Sequence, residues 1–85
     1  MSTTTRTIEH FGTTFTVTVD GRLATPRGPG ATISYPGEVH HDDFPSAAID
    51  AAVCEMTGER VGFFASDGQV DVGGRTVETW RFVRL

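Results

Sequence analysis

Three dipeptides, Asp20-Gly21, Asp67-Gly68 and Gly73-Gly74, constrain this chain more than any other feature. Two-residue hairpin turns of the primed types need positive φ at their central positions, which glycine adopts without a Cβ clash. Three such signals predict an antiparallel sheet. Ahead of the first, residues 14–19 (TFTVTV) alternate strictly, which places Phe15, Val17 and Val19 on a buried face and three threonines on a wet one. Residues 22–25 are then expected as the return strand. Pro26-Arg27-Gly28-Pro29-Gly30 reads as a loop, residues 31–35 as a short strand and Pro36-Gly37 as a turn. Toward the C-terminus, residues 60–66, 69–72 and 75–85 are expected as a three-stranded meander. In its last strand Glu78, Trp80, Phe82 and Arg84 share one face, while Val77, Thr79, Arg81, Val83 and Leu85 share the other. Two partly apolar faces fit a central strand, a bulged one or half of a dimer interface.

Between the strands, residues 45–57 predict the one helix. Ile49, Val53 and Met56 form a stripe, with Ala48 and Ala52 beside it at helical spacing. Pro45 suits the first turn, Phe44 or Ser46 is the expected cap, and Gly58 stands where a left-handed residue ends a helix. Asp42 and Asp43 complement the positive end of the helix dipole. Ala47, Asp50, Ala51 and Cys54 are expected to face outward, with Glu55 at the edge. Small residues there admit a second backbone, although alanine is also simply a good helix former. The expected fold is a single α+β domain over residues 8–85, with residues 1–7 as a flexible lead-in. Its antiparallel sheet has about five strands and one helix packed on one face.

Charge is unevenly distributed along these elements. Residues 28–59 hold Glu38, Asp42, Asp43, Asp50, Glu55 and Glu59 and no arginine, and the chain as a whole carries a net charge of -4 and no lysine. A one-signed field on a small domain speeds encounter with the opposite charge. These six residues are therefore the expected partner-binding set, and the expected partner is a protein with a basic surface. Trp80, Arg81, Phe82 and Arg84 interleave aromatics with cations, as single-strand binders do. Seven arginines dispersed among eleven acids give no strong electrostatic term for direct nucleic-acid binding. A single cysteine excludes an internal disulfide and a multi-cysteine metal site, and the chain shows neither the apolar run of a signal peptide nor a membrane-spanning stretch. A cytoplasmic protein without a cofactor is expected.

His40-His41-Asp42-Asp43 is the sharpest chemical candidate, because imidazole and carboxylate suit zinc and similar ions. In an extended segment neighbouring side chains point apart, so His40 with Asp42, or His41 with Asp43, would share an ion at most. Completing a site would need His10, Glu9 or Glu38 nearby. A metal-binding or metal-dependent hydrolytic protein using His40 and Asp42 is thus one alternative, and a homodimeric structural or regulatory subunit another. Cys54 lies inside the helix, away from the N-terminal end that would lower a thiol pKa. Pro26-Arg27-Gly28-Pro29-Gly30 lacks the Lys and Ser/Thr of a phosphate loop. No catalytic residue is assigned, and the chain is read as non-enzymatic.

In size, in its Ala47-Ala48-Ile49-Asp50-Ala51-Ala52-Val53 helix and in its glycine-punctuated sheet, the chain resembles small phage-encoded inhibitors of the anti-CRISPR type. The resemblance implies a protein that blocks a larger complex by offering acidic residues to a basic nucleic-acid channel.

Overall fold

The computed structural model describes residues 3–85. Five strands form one antiparallel sheet in the order β1-β2-β3-β5-β4: β1 (Thr3–His10), β2 (Thr13–Asp20), β3 (Gly30–Pro36), β4 (Val61–Val72) and β5 (Arg75–Arg84). Among the described residues a single α-helix, α1 (Ser46–Thr57), packs on one face, so the fold is the expected α+β sheet-and-helix arrangement. No helix is long and apolar enough to cross a membrane among the described residues.

Only one of the three hairpin signals is a hairpin. Gly73-Gly74 joins β4 to β5 with φ of 59° and 82°. At Asp20 the side-chain carboxylate accepts the Arg22 N–H at 2.9 Å, starting a 3-10 turn over Gly21–Leu23. Local satisfaction of that amide takes the chain out of the sheet, so residues 22–25 are not a strand. β2 pairs instead with β3, and the intervening loop runs beside β5, where Phe82 N–H donates to Pro29 O and Arg84 N–H to Arg27 O, each at 3.0 Å. Asp67-Gly68 lies within β4: Ser66 faces Trp80 and Gln69 faces Glu78, which leaves one extra residue on the β4 side. Gly68, at φ 106°, therefore serves a bulge, and the expected meander is one long hairpin. A second irregularity falls between Phe63 and Ala65.

The missing hairpin is at the N-terminus. β1 pairs with β2 from Thr3↔Asp20 to His10↔Thr13, so from Thr3 onward the expected lead-in is paired strand; Met1 and Ser2 lie outside the described residues. Its turn is Phe11-Gly12, with φ of 49° and 77°.

Alternation along β2 works as the sequence suggests. Phe15 and Val17 are fully buried and meet Ile33, Tyr35, Trp80 and Phe82 across the sheet, with Ile49 and Val53 descending from α1. Such burial stabilises by about 1.5–3 kcal/mol per large apolar side chain. Internal placement between β3 and β4 explains the two partly apolar faces of β5. On the uncovered face Thr5, Thr18, Thr32 and Thr79 form one row across four strands.

The helix ends differently from expectation at one side. Gly58 closes it at φ 72°, donating its N–H to Cys54 O at 2.9 Å. At the start, neither Phe44 nor Ser46 caps: Pro45 is the boundary residue and no side chain bonds the first amides. The Ser46 N–H reaches Phe44 O at 2.9 Å across Pro45, at φ -81° and ψ 58°, as in an inverse γ-turn. Cys54 is half-buried instead of outward, its thiol donating to Val61 O at 3.3 Å.

Candidate functional site

Residues 37–44 lead from β3 to α1 and roof the part of the core that the helix leaves uncovered. Gly37 N–H donates to Gly74 O at 2.9 Å, and Thr76 Oγ1 donates to Gly37 O at 2.6 Å, which tethers the segment to the β4–β5 hairpin. At its other end Phe44 packs against Phe15, Tyr35 and Trp80, with ring centroids 5.1, 5.2 and 5.6 Å away. Between these anchors the chain makes a 3-10 turn, His41–Asp43, in which His40 Nδ1 accepts from the Asp42 N–H at 3.2 Å.

That turn corrects the extended reading. A 3-10 turn folds three residues into one revolution, so neighbours no longer diverge. The His40 and His41 rings stack at 4.5 Å, and Asp42 lies 3.5 Å from His40 Nδ1 and 3.2 Å from His41 Nε2. One donor atom from each of the three lies within 4.8 Å of the others, all on exposed side chains. Asp43 points elsewhere, into a hollow of about 270 Å³ shared with His10, Phe11, Glu38 and His40. Of the three residues that could complete a metal site, His10 and Glu38 line this hollow and Glu9 does not, and among the described residues none of the three joins the His40, His41 and Asp42 donors.

Beside the turn opens a cleft of about 620 Å³, walled by Tyr35, Phe44 and Trp80 and edged by Glu38, His40 and Gln69. Glu78 stands inside it. Trp80 Nε1–H donates to its Oε1 at 3.0 Å, and the Tyr35 hydroxyl donates to its Oε2. Tyr35 is 2% exposed, and that burial, reinforced by the Glu78 hydrogen bond and by the charges of Glu78 and Glu38, lifts its hydroxyl pKa well above the ordinary value of 10.0. The phenol is therefore a fixed donor. A third hollow, of about 360 Å³, continues from Glu38 past Gln69 to Asp71. Glu38, Asp43, Asp71 and Glu78 line these connected hollows, and among the described residues no arginine lines any of them.

The six acids singled out in the sequence divide into groups. Glu38 lines the cleft, Asp43 lines the smaller hollow beside it, and Asp42 stays on the adjoining turn against His40 and His41. Glu55 pairs with Arg6, and Glu59 with Arg84 at 2.6 Å, so their charge is locally balanced. Asp50 is half-buried with Oδ1 unpartnered among the described residues, and burial pushes its carboxyl pKa up.

Two site residues were missed. Glu78 was readable as an acid on the same face of β5 as Trp80 and Phe82. Phe11 was less so: it is 83% exposed at the tip of the β1–β2 hairpin, in a left-handed conformation unusual for a bulky residue, with its ring 4.4 Å from that of His10. Comparison of the chain with protein-family models, with curated proteins and with solved structures finds no match.

Proposed function

We propose that this chain is a non-enzymatic protein-binding module, an inhibitor or regulator, that presents its 37–44 turn and adjoining cleft to a basic surface of a larger, nucleic-acid-binding partner. The observation that carries this reading is the segregation of charge. Among the described residues Asp20, Glu55, Glu59 and Asp67 are each paired with an arginine, whereas Glu38, Asp43, Asp71 and Glu78 share hollows that no arginine lines. Unbalanced charge at one end of a small domain steers an oppositely charged surface toward that end. Phe11 adds an exposed aromatic anchor at the same end, held in a strained backbone of the kind found at contact sites. Capture of partner from a host lysate should fall with added salt and with Asp42→Arg combined with Asp43→Arg. Equal retention of a partner by that double variant would exclude this surface.

A second reading is a divalent-metal site on His40, His41 and Asp42, favoured by the convergence of their donor atoms within 4.8 Å. Titration of tag-free protein with zinc or nickel, followed by calorimetry, tests it. Absence of binding, or binding unchanged in His41→Ala, removes it.

A further inference from the structure

From the cleft geometry we infer that Glu78 is the anchor of a socket for one arginine side chain of the partner protein, an inference that rests on the basic-partner reading above. The carboxylate is oriented before any ligand arrives, since Trp80 and Tyr35 each fix one of its oxygens. A carboxylate oxygen has two acceptor positions, so each keeps one for a further donor. No arginine of this chain supplies it: among the described residues none forms an ion pair with Glu78, and none lines the cleft. A half-buried carboxylate of this kind is stabilised by a cation delivered from outside.

The walls select among cations. Part-exposed Phe44, backed by the nearly buried rings of Tyr35 and Trp80, gives the cleft an aromatic wall, and its volume of about 620 Å³ falls in the range of ligand-binding pockets. A guanidinium is flat, carries five donors in a rigid fork and stacks on aromatic rings, whereas an ammonium is a compact, strongly hydrated point charge. The fork can address Glu78 while a second edge reaches Glu38 or Gln69 at the mouth. A socket on a protein surface, next to the turn that carries Asp42 and Asp43, further suits an arginine that arrives within a basic segment.

Trp80 is the only tryptophan of the chain and donates to Glu78, so its indole N–H resonance reports on the socket directly. Wild type, Glu78→Gln and the double variant Asp42→Asn with Asp43→Asn are titrated with a capped Gly-Arg-Gly-Arg-Gly peptide. The same peptide with citrulline for arginine, and arginine amide alone, serve as controls. Glutamine keeps an acceptor for Trp80 and lets the Tyr35 hydroxyl turn to accept, so the variant should fold. The expected result is a saturable indole shift with the arginine peptide, at least tenfold weaker binding by Glu78→Gln, no shift with citrulline and much weaker binding of arginine amide. Equal binding by wild type and Glu78→Gln, or a bound peptide that leaves the indole resonance in place, would overturn the socket. If the Asp42/Asp43 variant alone weakened binding, the socket would fail while the basic-partner reading stood. Arginine amide binding as tightly as the peptide would overturn the protein source of the cation. Indifference of every variant to every peptide would sink both readings.

Discussion

Trp80 donates its indole N–H to Glu78 Oε1 at 3.0 Å from two positions further along the same strand. Both side chains lie on the core face of β5, and the Tyr35 hydroxyl closes the arrangement from β3. Stability should therefore distinguish two substitutions at Glu78. Alanine leaves two donors without their acceptor, an omission worth about 1–3 kcal/mol per buried group. Glutamine keeps acceptor capacity and should lose less than about 1 kcal/mol. Urea denaturation followed by Trp80 fluorescence measures both. If alanine and glutamine proved equally stable, the hydrogen bonds would have no structural role.

At the opposite side of the site, Phe11 holds a left-handed backbone with φ 49° and buries little. Left-handed conformations strain an L-residue by roughly 1–2 kcal/mol, less for asparagine, which is at home in such turns. Phe11→Asn should accordingly stabilise the domain by about 1 kcal/mol, a rise of roughly 4–8 °C in Tm. The same change should weaken partner capture if the ring is an anchor. A variant that is both more stable and fully competent would separate the strained turn from binding.

How much of this was legible follows from which signals have a single physical meaning. Phe15 and Val17 alternate with threonines, and only a half-buried strand satisfies that pattern, so β2 was correctly placed. Ile49 and Val53, closed by Gly58, likewise specify α1. Asp-Gly pairs are ambiguous by contrast. Positive φ at Gly68 serves a bulge as well as a turn, and the Asp20 carboxylate can cap a 3-10 turn as readily as it can flank a hairpin. β1 was invisible because it is an edge strand of threonines, with Ile8 its one inward apolar residue against the core. In the site, the charge of Glu38, Asp42 and Asp43 could be read directly. The meeting of His10 with His40 could not, since it depends on two turns thirty residues apart.

Tyr35 offers a pH test. Its hydroxyl pKa is raised in the folded protein, while the unfolded chain releases the proton near the ordinary 10.0. Below that value both states are protonated and stability is unaffected. As pH climbs through it, the unfolded state alone loses the proton, so stability declines with further rise. Because Tyr35 is the chain's one tyrosine, phenolate absorbance should grow together with loss of the circular dichroism signal, as one cooperative transition. Phenolate forming in an intact fold near pH 10 would contradict the burial argument.

Asp50 tests the acidic segment from the other direction. Its Oδ1 is buried without a partner among the described residues, and desolvation raises its carboxyl pKa above 3.8. The sign follows from which state holds the proton. At pH below the unfolded value both states are protonated and the group is neutral to stability. Between the unfolded and the raised folded value only the folded state retains the proton, so stability falls as pH rises through that window. Above it, the ionised carboxylate remains as a constant penalty. Asp50→Asn removes the charge with little change of shape, and Asp50→Ala also improves helix propensity by up to about 0.7 kcal/mol. Both should be more stable than wild type at pH 7. The advantage of asparagine should vanish on acidification to about pH 3, below the ordinary aspartate value, whereas part of the alanine advantage should persist. Urea denaturation at the two pH values measures this, and an asparagine variant less stable than wild type at pH 7 would show that Asp50 is retained for a favourable interaction of its charge.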